Sequence, residues 1–398
     1  MLPLRWPLTI AAGVLIAGAW AGRKGHQAED PPPAPEPTPV AQEPVAPPTP
    51  SPDAVHQGPM FPEGLPMASI GLPEGLANPT AQGCAACHGS IVASWEASAH
   101  AQAWQGERYR QAVRDASQPE ECQACHLPFA AQHPQRVIHH AEGLPDAPQH
   151  ATNPDWSPSL QREGVTCAAC HLRQGQVVGP RGDGAAPHPV AASADLGSPT
   201  LCAACHQLSW PESETAWYDT YGEWYRSPFR EAGVGCQDCH MAPQAGPVTT
   251  GRFAAHAGHA MAVETSQAVS ILLELDSPEI TRGAPFAFRI RLQSTGTGHA
   301  FPTGHPGKTY IVRAAVVDAA GEPMHDPSED ALVRRVQEEP PFALVEDTRL
   351  PARGELLLEH EATIVVKKAP GPALLRVSIF DERQEQPLFE RSFPVTIL

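Results

Sequence analysis

One five-residue motif recurs along this chain and uses every cysteine in it. Each copy has two cysteines separated by two residues, with a histidine directly after the second cysteine. At this spacing, two thiols can attach covalently to the vinyl groups of one porphyrin, and the adjacent histidine can ligate its iron. The thiols are Cys84, Cys87, Cys122, Cys125, Cys167, Cys170, Cys202, Cys205, Cys236 and Cys239, and the histidines are His88, His126, His171, His206 and His240.

Two other kinds of site also use a pair of cysteines at this spacing. They are structural zinc sites and thioredoxin-like dithiols. Neither kind of site requires a histidine directly after the second cysteine of each pair, so five such histidines favour haem attachment. We therefore expect five covalently bound haem c groups, each with its motif histidine as the proximal ligand.

The residues after the first motif carry a further pattern. Trp95, Ser98 and His100 form the phrase W-x-x-S-x-H-A. Together with the preceding motif, this phrase resembles the multihaem c-type cytochromes, in particular the group of the nitrifier tetrahaem cytochrome and hydroxylamine oxidoreductase. In that group the histidine ligates a haem, often not the nearest one in sequence. The resemblance implies that His100 is a distal ligand.

Other histidines are candidates for the remaining distal positions. His188 stands between Pro187 and Pro189, which hold it on a stiff extended segment suited to aiming a ligand. His256 and His259 follow the fifth motif. In the resembled family a C-H-M-P segment is followed by a ligating G-x-H or G-H phrase, which favours His259, and we expect only one of the two to bind.

The segment between the second and third motifs contains several candidate ligands, and the sequence does not decide among them. His133, His139, His140 and His150 all lie there, and we expect one of them to complete the count. His139 and His140 are adjacent, so their side chains diverge and at most one can serve a given haem.

The beginning of the sequence predicts export. Residues 1–25 contain an apolar run, shorter than the about 20 residues of a membrane span, that ends in Ala19-Trp20-Ala21. They form either a cleaved signal peptide or an N-terminal anchor that would tether the protein to a membrane. Residues 26–77 are proline-rich and predict an extended linker. We expect the protein to be located in the periplasm, at the periplasmic face of the inner membrane or in the extracellular space.

The remaining chain predicts an α + β protein with two separate domains. Residues 78–264 should form a mostly helical and irregular pentahaem cytochrome domain whose interior is filled by porphyrins. Two helices are predicted in it, over residues 91–104 and from Ser209 to Tyr225. Residues 265–398 alternate apolar and polar side chains in about seven short runs, which predicts an antiparallel immunoglobulin-like β-sandwich.

One loop of the predicted sandwich carries a histidine motif. Residues 298–304 read G-H-x-F-P-T-G. This phrase resembles a loop in the β domain appended to many multihaem cytochromes, where the first histidine reaches a haem. The resemblance implies that His299 is a distal ligand. His305 follows the phrase but is not part of it, so its role stays open.

Composition and histidine count bear on function. The formal net charge of −17 disfavours nucleic acid and anionic lipid partners and suits basic redox partner proteins. Nineteen histidines are enough to close both faces of five irons, which favours electron transfer along closely spaced bis-histidine haems. The alternative is a multihaem oxidoreductase of nitrogen or sulfur compounds with one open-site haem. No catalytic residue is assigned.

Overall fold

The computed structural model describes most of the chain after its first 48 residues. The described residues are 49–52, 71–115, 119–140, 148–173, 175–184, 186–209, 213–262 and 265–398. The predicted signal or anchor and most of the predicted linker lie outside them. Residues from Thr49 to Leu398 form one compact unit. Every helix in the described ranges is too short or too polar to span a bilayer.

Short helices and turns make up the region that holds the motifs. The helices are α1 Ala81–Glu96, α2 Glu107–Asp115, α3 Pro119–His126, α4 Pro158–Arg162, α5 Cys167–His171, α6 Pro199–His206, α7 Thr220–Tyr225, α8 Pro228–Glu231 and α9 Cys236–His240. Three of them, α4, α6 and α8, begin at a Ser-Pro pair. In each the serine hydroxyl accepts a hydrogen bond from a first-turn amide, and the proline occupies a position that needs no donor.

The two predicted helices have different bounds in the structure. The first begins at Ala81, capped by Thr80, and ends at Glu96 rather than continuing to residue 104. The Ser98 hydroxyl accepts a hydrogen bond from the Ala101 amide, which competes with helix continuation. The second was predicted to begin at Ser209, but Leu208 pairs with Tyr218 in a β-bridge and the helix starts only at Thr220.

Small sheets connect the motif helices. The strands are β1 Gln135–His140, β2 Pro148–Thr152, β3 Leu172–Arg173, β4 Gln176–Gly179, β5 Val190–Ala192, β6 Pro243–Thr249 and β7 Arg252–Ala257. They pair as β1-β2, β3-β4-β5 and β6-β7. The β6-β7 hairpin packs on α1, where the Ser90 hydroxyl donates to the Pro247 carbonyl at 2.7 Å.

The C-terminal region is rich in β-sheet, as the alternating pattern predicted. After helix α10 Thr265–Ala268 come β8 Val269–Leu275, β9 Glu279–Ile280, β10 Pro285–Ser294, β11 Tyr310–Val317, β12 Ser328–Leu332, β13 Arg334–Val336, β14 Leu344–Asp347, β15 Glu355–Thr363, β16 Gly371–Asp381 and β17 Phe389–Ile397. One sheet has the order β15-β10-β8 and another the order β12-β11-β16-β17-β9, with β13-β14 as a hairpin. All pairs are antiparallel except β17 with β9.

Burial along β10 shows how the period-two pattern builds this region. Phe288, Ile290 and Leu292 are almost fully buried, whereas Arg289 and Arg291 between them reach acidic partners on the outer face. The inward side chains of both larger sheets join one apolar cluster. The immunoglobulin-like topology of this region stays a prediction.

Candidate haem-binding centre

Each of the five motifs lies in a helical segment. The first motif lies inside α1, and α3, α5, α6 and α9 each end at their motif histidine. Residues three and four apart on a helix share one face. Both thiols and the imidazole of a motif are therefore presented on the same side. None of the ten cysteines, all of which lie in the described ranges, forms a disulfide.

Backbone carbonyls fix the orientation of three motif imidazoles. The Nδ1 atoms of His88, His126 and His171 donate to the carbonyls of Val248, Ala103 and Val178 at 2.6, 2.8 and 2.9 Å. Because a carbonyl oxygen only accepts, Nδ1 carries the proton in each ring. The lone pair then sits on Nε2, and an imidazole held in this way is ready to bind a metal.

Four of the five motif histidines face another histidine at nearly the same separation. The ring centroids lie 6.2, 6.2, 6.3 and 6.2 Å apart in the pairs His88–His188, His206–His100, His171–His259 and His240–His299. An imidazole nitrogen sits about 2 Å from a bound metal, so two rings on opposite sides of one iron have centroids about 6 Å apart. The four separations fit an iron between the rings.

His188 comes from the extended segment before α6. Its Nδ1 is buried and has no hydrogen-bond partner. Burying a polar atom without a hydrogen-bond partner costs free energy. Hydrogen bonding within the protein therefore does not explain why the His188 ring is buried. Gly75 lies against this segment with a positive φ of 80°, and a Cβ there would come within 2.3 Å of the Pro187 carbonyl oxygen. A glycine at position 75 therefore permits the close approach behind His188.

His100 lies in the turns that follow α1 and faces a motif remote in sequence. Its carbonyl accepts a hydrogen bond from the Val165 amide at 3.0 Å, and its Nδ1 contacts the Met261 sulfur at 2.6 Å. The ring is opposite His206 of the fourth motif rather than His88 of the first. The role of His100 as a distal ligand stays a prediction.

His299 is held by a buried acid from the motif region. Its Nδ1 donates to the Ala300 carbonyl at 2.9 Å. The Glu223 carboxylate accepts from the Ala300 amide at 3.1 Å, the Thr303 hydroxyl at 2.7 Å and the Arg349 guanidinium at 2.7 Å. The side chains of Glu223 and Arg349 are only 10% and 7% exposed. This network fixes the loop so that His299 faces His240.

The structure separates the two histidines after the fifth motif. Both His256 and His259 direct Nδ1 to the Ala257 carbonyl at 2.8 Å. Only His259 faces a motif histidine, His171, in the described chain. His256 lies 6.4 Å from His259 with its ring tilted by 40°. Because neither residue belongs to a motif, no thiol pair could anchor a porphyrin between them.

The histidines predicted between the second and third motifs are not brought to a motif histidine by any described contact. His133 is buried with both ring nitrogens engaged, by Gln123 at 3.0 Å and by the Leu127 carbonyl at 2.8 Å, so neither is free for a metal. His139 and His140 lie on β1, paired with Gln149 and Pro148, and their side chains are outside the described part. His150 is exposed on β2.

The second motif differs from the others. Among the described residues, His126 faces no histidine at the separation found in the four pairs. Instead, Tyr109 stacks on the face of its ring with centroids 3.9 Å apart and an interplanar angle of 7°.

Burial keeps several of these imidazoles neutral. Desolvation lowers the pKa of His206 to about 4, and desolvation together with the nearby His171 lowers the pKa of His259 to about 4. Desolvation also lowers the pKa of His100, His171 and His299. A neutral imidazole is the form that binds a metal, so the fold holds these rings in the required state.

Contacts between cysteines show which motifs are neighbours. Cysteine side chains lie close together in the first and third motifs (Cys84 and Cys167), the second and fourth (Cys125 and Cys205), and the fourth and fifth (Cys202 and Cys236). Cys170 of the third motif also acts electrostatically on Cys202 and Cys205 of the fourth. The spatial order is therefore first, third, fourth, with the second and fifth motifs both beside the fourth.

Comparisons with known proteins agree with this geometry. Residues 83–172 match the family model described as cytochrome c554 and c-prime. The fold is similar to the pentahaem cytochrome c552 from Thermochromatium tepidum, with a TM-score of 0.52 and 18% identity over 81% of this chain and 100% of that chain. A search of curated proteins finds no match.

A weaker likeness concerns one third of the chain. The CARDB domain of a protein from Pyrococcus furiosus matches 33% of this chain and 87% of its own length, with 10% identity and a TM-score of 0.21. That score is too low to support an argument about the β region. The resemblance to hydroxylamine oxidoreductase likewise stays a prediction. The family match and the shared fold support a multihaem c-type cytochrome with haem c as its cofactor.

Proposed function

We propose that this chain is an exported electron-transfer protein. It would hold five haem c groups and pass electrons between redox partner proteins. The observation that carries the proposal is the set of four histidine pairs with centroids 6.2–6.3 Å apart. Haem c supplies reversible one-electron chemistry at its iron when bound. In each pair, His88, His171, His206 or His240 is the proximal ligand, and His188, His259, His100 or His299 is the distal ligand.

The paired rings determine what such a site can do. Two imidazoles that approach from opposite sides leave no ligand position open to a substrate, which suits transfer of electrons rather than bond chemistry. His88 and His171 are also held by backbone hydrogen bonds, so their nitrogens need little reorganisation when the charge of the site changes. The residues thus position and close the sites, and no acid or base group is assigned a chemical step.

The order of the motifs supports a connected series of sites. Thiol contacts place the first motif beside the third, and both the second and the fifth beside the fourth. Electrostatic contacts link the third to the fourth. We infer a path that branches at the fourth motif, with the first, second and fifth motifs as three ends.

Partner and compartment follow from charge and cofactor chemistry. The formal net charge of −17 suits transient docking of partners with basic surfaces, and it disfavours nucleic acid. Thioether attachment of haem and the apolar run in residues 1–25 suit an exported protein in the periplasm, at the periplasmic face of the inner membrane or outside the cell. A retained N-terminus would tether it to that membrane.

Haem content and spin state test this proposal. The protein, purified from a host that matures c-type cytochromes, should contain five haems per chain and should be predominantly low-spin. His299→Ala should convert one haem to a high-spin form that binds carbon monoxide, whereas the control His256→Ala should leave the spectrum unchanged. A colourless product with ten titratable thiols would refute the proposal.

An oxidoreductase of nitrogen or sulfur compounds is the alternative function, and one observation favours it. His126 of the second motif faces no histidine in the described chain at the separation found in the other four pairs. An open position at that site would allow a substrate to bind. Carbon monoxide titration of the reduced wild-type protein distinguishes the two functions, because one equivalent bound per chain favours the oxidoreductase.

A further inference from the structure

Three histidines outside the four pairs already have partners for their rings. His133 has both nitrogens hydrogen-bonded, and His325 donates to the Asp326 carbonyl and accepts from the Val316 amide at 3.0 Å. His360 lies 2.9 Å from the Asp330 carboxylate. Of the histidines whose side chains are described, His150, His256 and His305 are left.

His305 lies next to the second motif. Its ring packs edge-on against Trp217 and Tyr218, with centroids 5.9 Å away in both cases. Burial raises the pKa of Tyr218, and the nearby thiols of Cys125 and Cys122 raise it further, so this tyrosine borders the second motif. His305 also acts electrostatically on His126, so the two imidazoles lie near one another.

The ring of His305 is held in the same way as the ring of His299. In each residue Nδ1 donates to the carbonyl of the next residue, Pro306 or Ala300. This bond leaves the lone pair on Nε2. His305 is exposed rather than packed into the apolar core, so its Nε2 can meet a ligand.

Both halves of the loop that bears the two histidines are anchored to the motif region. We call residues 298–305 the ligand loop. Glu223 holds its middle, as described above. Beyond His305, the Gly307 amide donates to the Arg334 carbonyl at 2.7 Å, and the Arg334 guanidinium donates to the Trp217 carbonyl at 3.2 Å. Arg334 therefore ties the end of the loop to the segment that packs on His305.

We propose that His305 is the distal ligand of the second motif, opposite His126, so that the ligand loop supplies one ligand to each of two haems. This inference rests on the proposed function, since it concerns the fifth of its five sites. His299 closes the fifth motif and His305 the second. The two motifs closed by this loop are two of the three ends of the branched path.

Tyr109 is a competitor for the same position, and its geometry excludes it. Its ring lies flat on His126 with centroids only 3.9 Å apart. An iron between two ligand rings requires about 6 Å, so no metal fits between them. A stacked ring covers the face of the imidazole, whereas the Nε2 lone pair lies in the imidazole plane. Tyr109 therefore supports His126 from the side and leaves its metal-binding direction open.

Variants of the haem-loaded protein test the assignment by spin state. His305→Ala should convert one haem in five from low-spin to high-spin in the electron paramagnetic resonance spectrum and should create one carbon monoxide site per chain. His305→Met should keep that haem low-spin and raise one reduction potential, because methionine can ligate iron. His299→Ala/His305→Ala should give two high-spin haems.

His150→Ala and His139→Ala/His140→Ala are the matched controls, and both should leave all five haems low-spin. The inference is overturned if either control creates the high-spin haem, or if His305→Ala leaves the spectrum unchanged. A wild-type protein with one high-spin haem and four low-spin haems would also overturn it, because the second site would then be open. Fewer than four low-spin haems in the wild type would instead refute the proposed function.

Discussion

The two halves of the described chain are held together by different means. In the β region, side chains from both larger sheets form one large apolar cluster that includes Phe288, Ile290 and Val316. The described residues of the motif region form two small clusters, one around Val92 and Trp95 and the other around Tyr221 and Trp224. Burial of apolar area is the main favourable term in folding. The β region therefore has an interior of its own, whereas we expect the motif region to need its haem groups to complete one.

Polar contacts in the motif region do not take the place of an apolar core. The buried Gln132 side chain donates to the carbonyls of Leu160 and Gly164 at 2.9 and 2.7 Å, and the Trp95 indole donates to the Val165 carbonyl at 3.0 Å. Such bonds satisfy buried carbonyls and fix the course of irregular chain, but each adds only about 1 kcal/mol net. They specify where the motifs lie without supplying the stability of a packed core.

The largest effect expected from this difference is the loss of the motif region without haem. Chain expressed in a host that cannot attach haem should have an unfolded motif region and a folded β region. Limited proteolysis should then leave a resistant fragment that begins near residue 265. As the control, the haem-loaded protein should resist cleavage throughout residues 78–398. A haem-free chain that stays protease-resistant in residues 78–264 would contradict the comparison.

Removal of the buried cation between the regions should have the next largest effect. Arg349→Ala leaves Glu223 buried without its partner, and breaking such a pair costs about 3–5 kcal/mol. The ligand loop should loosen as well, so a high-spin haem should appear at the site of His299. Denaturant unfolding and the visible spectrum measure the two effects.

Arg289→Ala provides the matched control for that prediction. Arg289 also pairs with a glutamate, Glu359, but both side chains are at least half exposed. Solvent screens such an exposed pair and it adds little to stability, so the variant should differ little from the wild type. Equal effects of the two substitutions would show that the contact between the regions has no special role.

A pair of valine truncations compares the two interiors directly. Val316 on β11 is fully buried in the large cluster, so Val316→Ala should destabilise the β region by about 2 kcal/mol. Val92 on α1 is 4% exposed but has few apolar neighbours, so Val92→Ala should cost less in the haem-loaded protein. Thermal unfolding followed separately in the ultraviolet and at the haem band measures each region. A larger loss from Val92→Ala would reverse the comparison.

The two regions also differ in how far the sequence predicts them. Alternation along residues 285–294 was enough to predict β10, because a strand buried on one face imposes period two. The motifs are enough to propose the haem-attaching thiols and the proximal histidines, because that chemistry is local. Helix limits were wrong around His100, where a serine hydroxyl decides the end of α1.

The proposed distal ligands are harder to predict from sequence, because they depend on contacts between residues remote in sequence. His100 faces a histidine more than one hundred residues away, and only the resemblance indicated it. The sequence leaves the role of His305 open, although its Gly- and Pro-rich surroundings match those of His299. The sequence favours the segment of residues 133–150 instead, because that segment is rich in histidine. A local count could not show that both ring nitrogens of His133 are bonded, one to Gln123 and the other to the Leu127 carbonyl.

The smallest expected effect concerns pH and the contact between the two regions. Burial works to raise the pKa of Asp347, but hydrogen bonds and charge from Arg349 outweigh it and hold the pKa below its usual value. A carboxylate with a lowered pKa adds stability above its unfolded pKa of about 3.9, and this stability is lost as the pH falls through the folded value. Asp347→Asn should therefore lose less stability than the wild type between about pH 5 and 2, by under about 1 kcal/mol because the carboxylate is one-third exposed.

Unfolding at several pH values measures how stability changes with pH. Asp381→Asn serves as the control, because Asp381 lies on β16 and has no assigned ion pair in the described chain. If the acid-dependent loss appears at the haem band before it appears in the β region, Asp347 acts through the ligand loop; if it appears only in the β region, the contact does not connect the two.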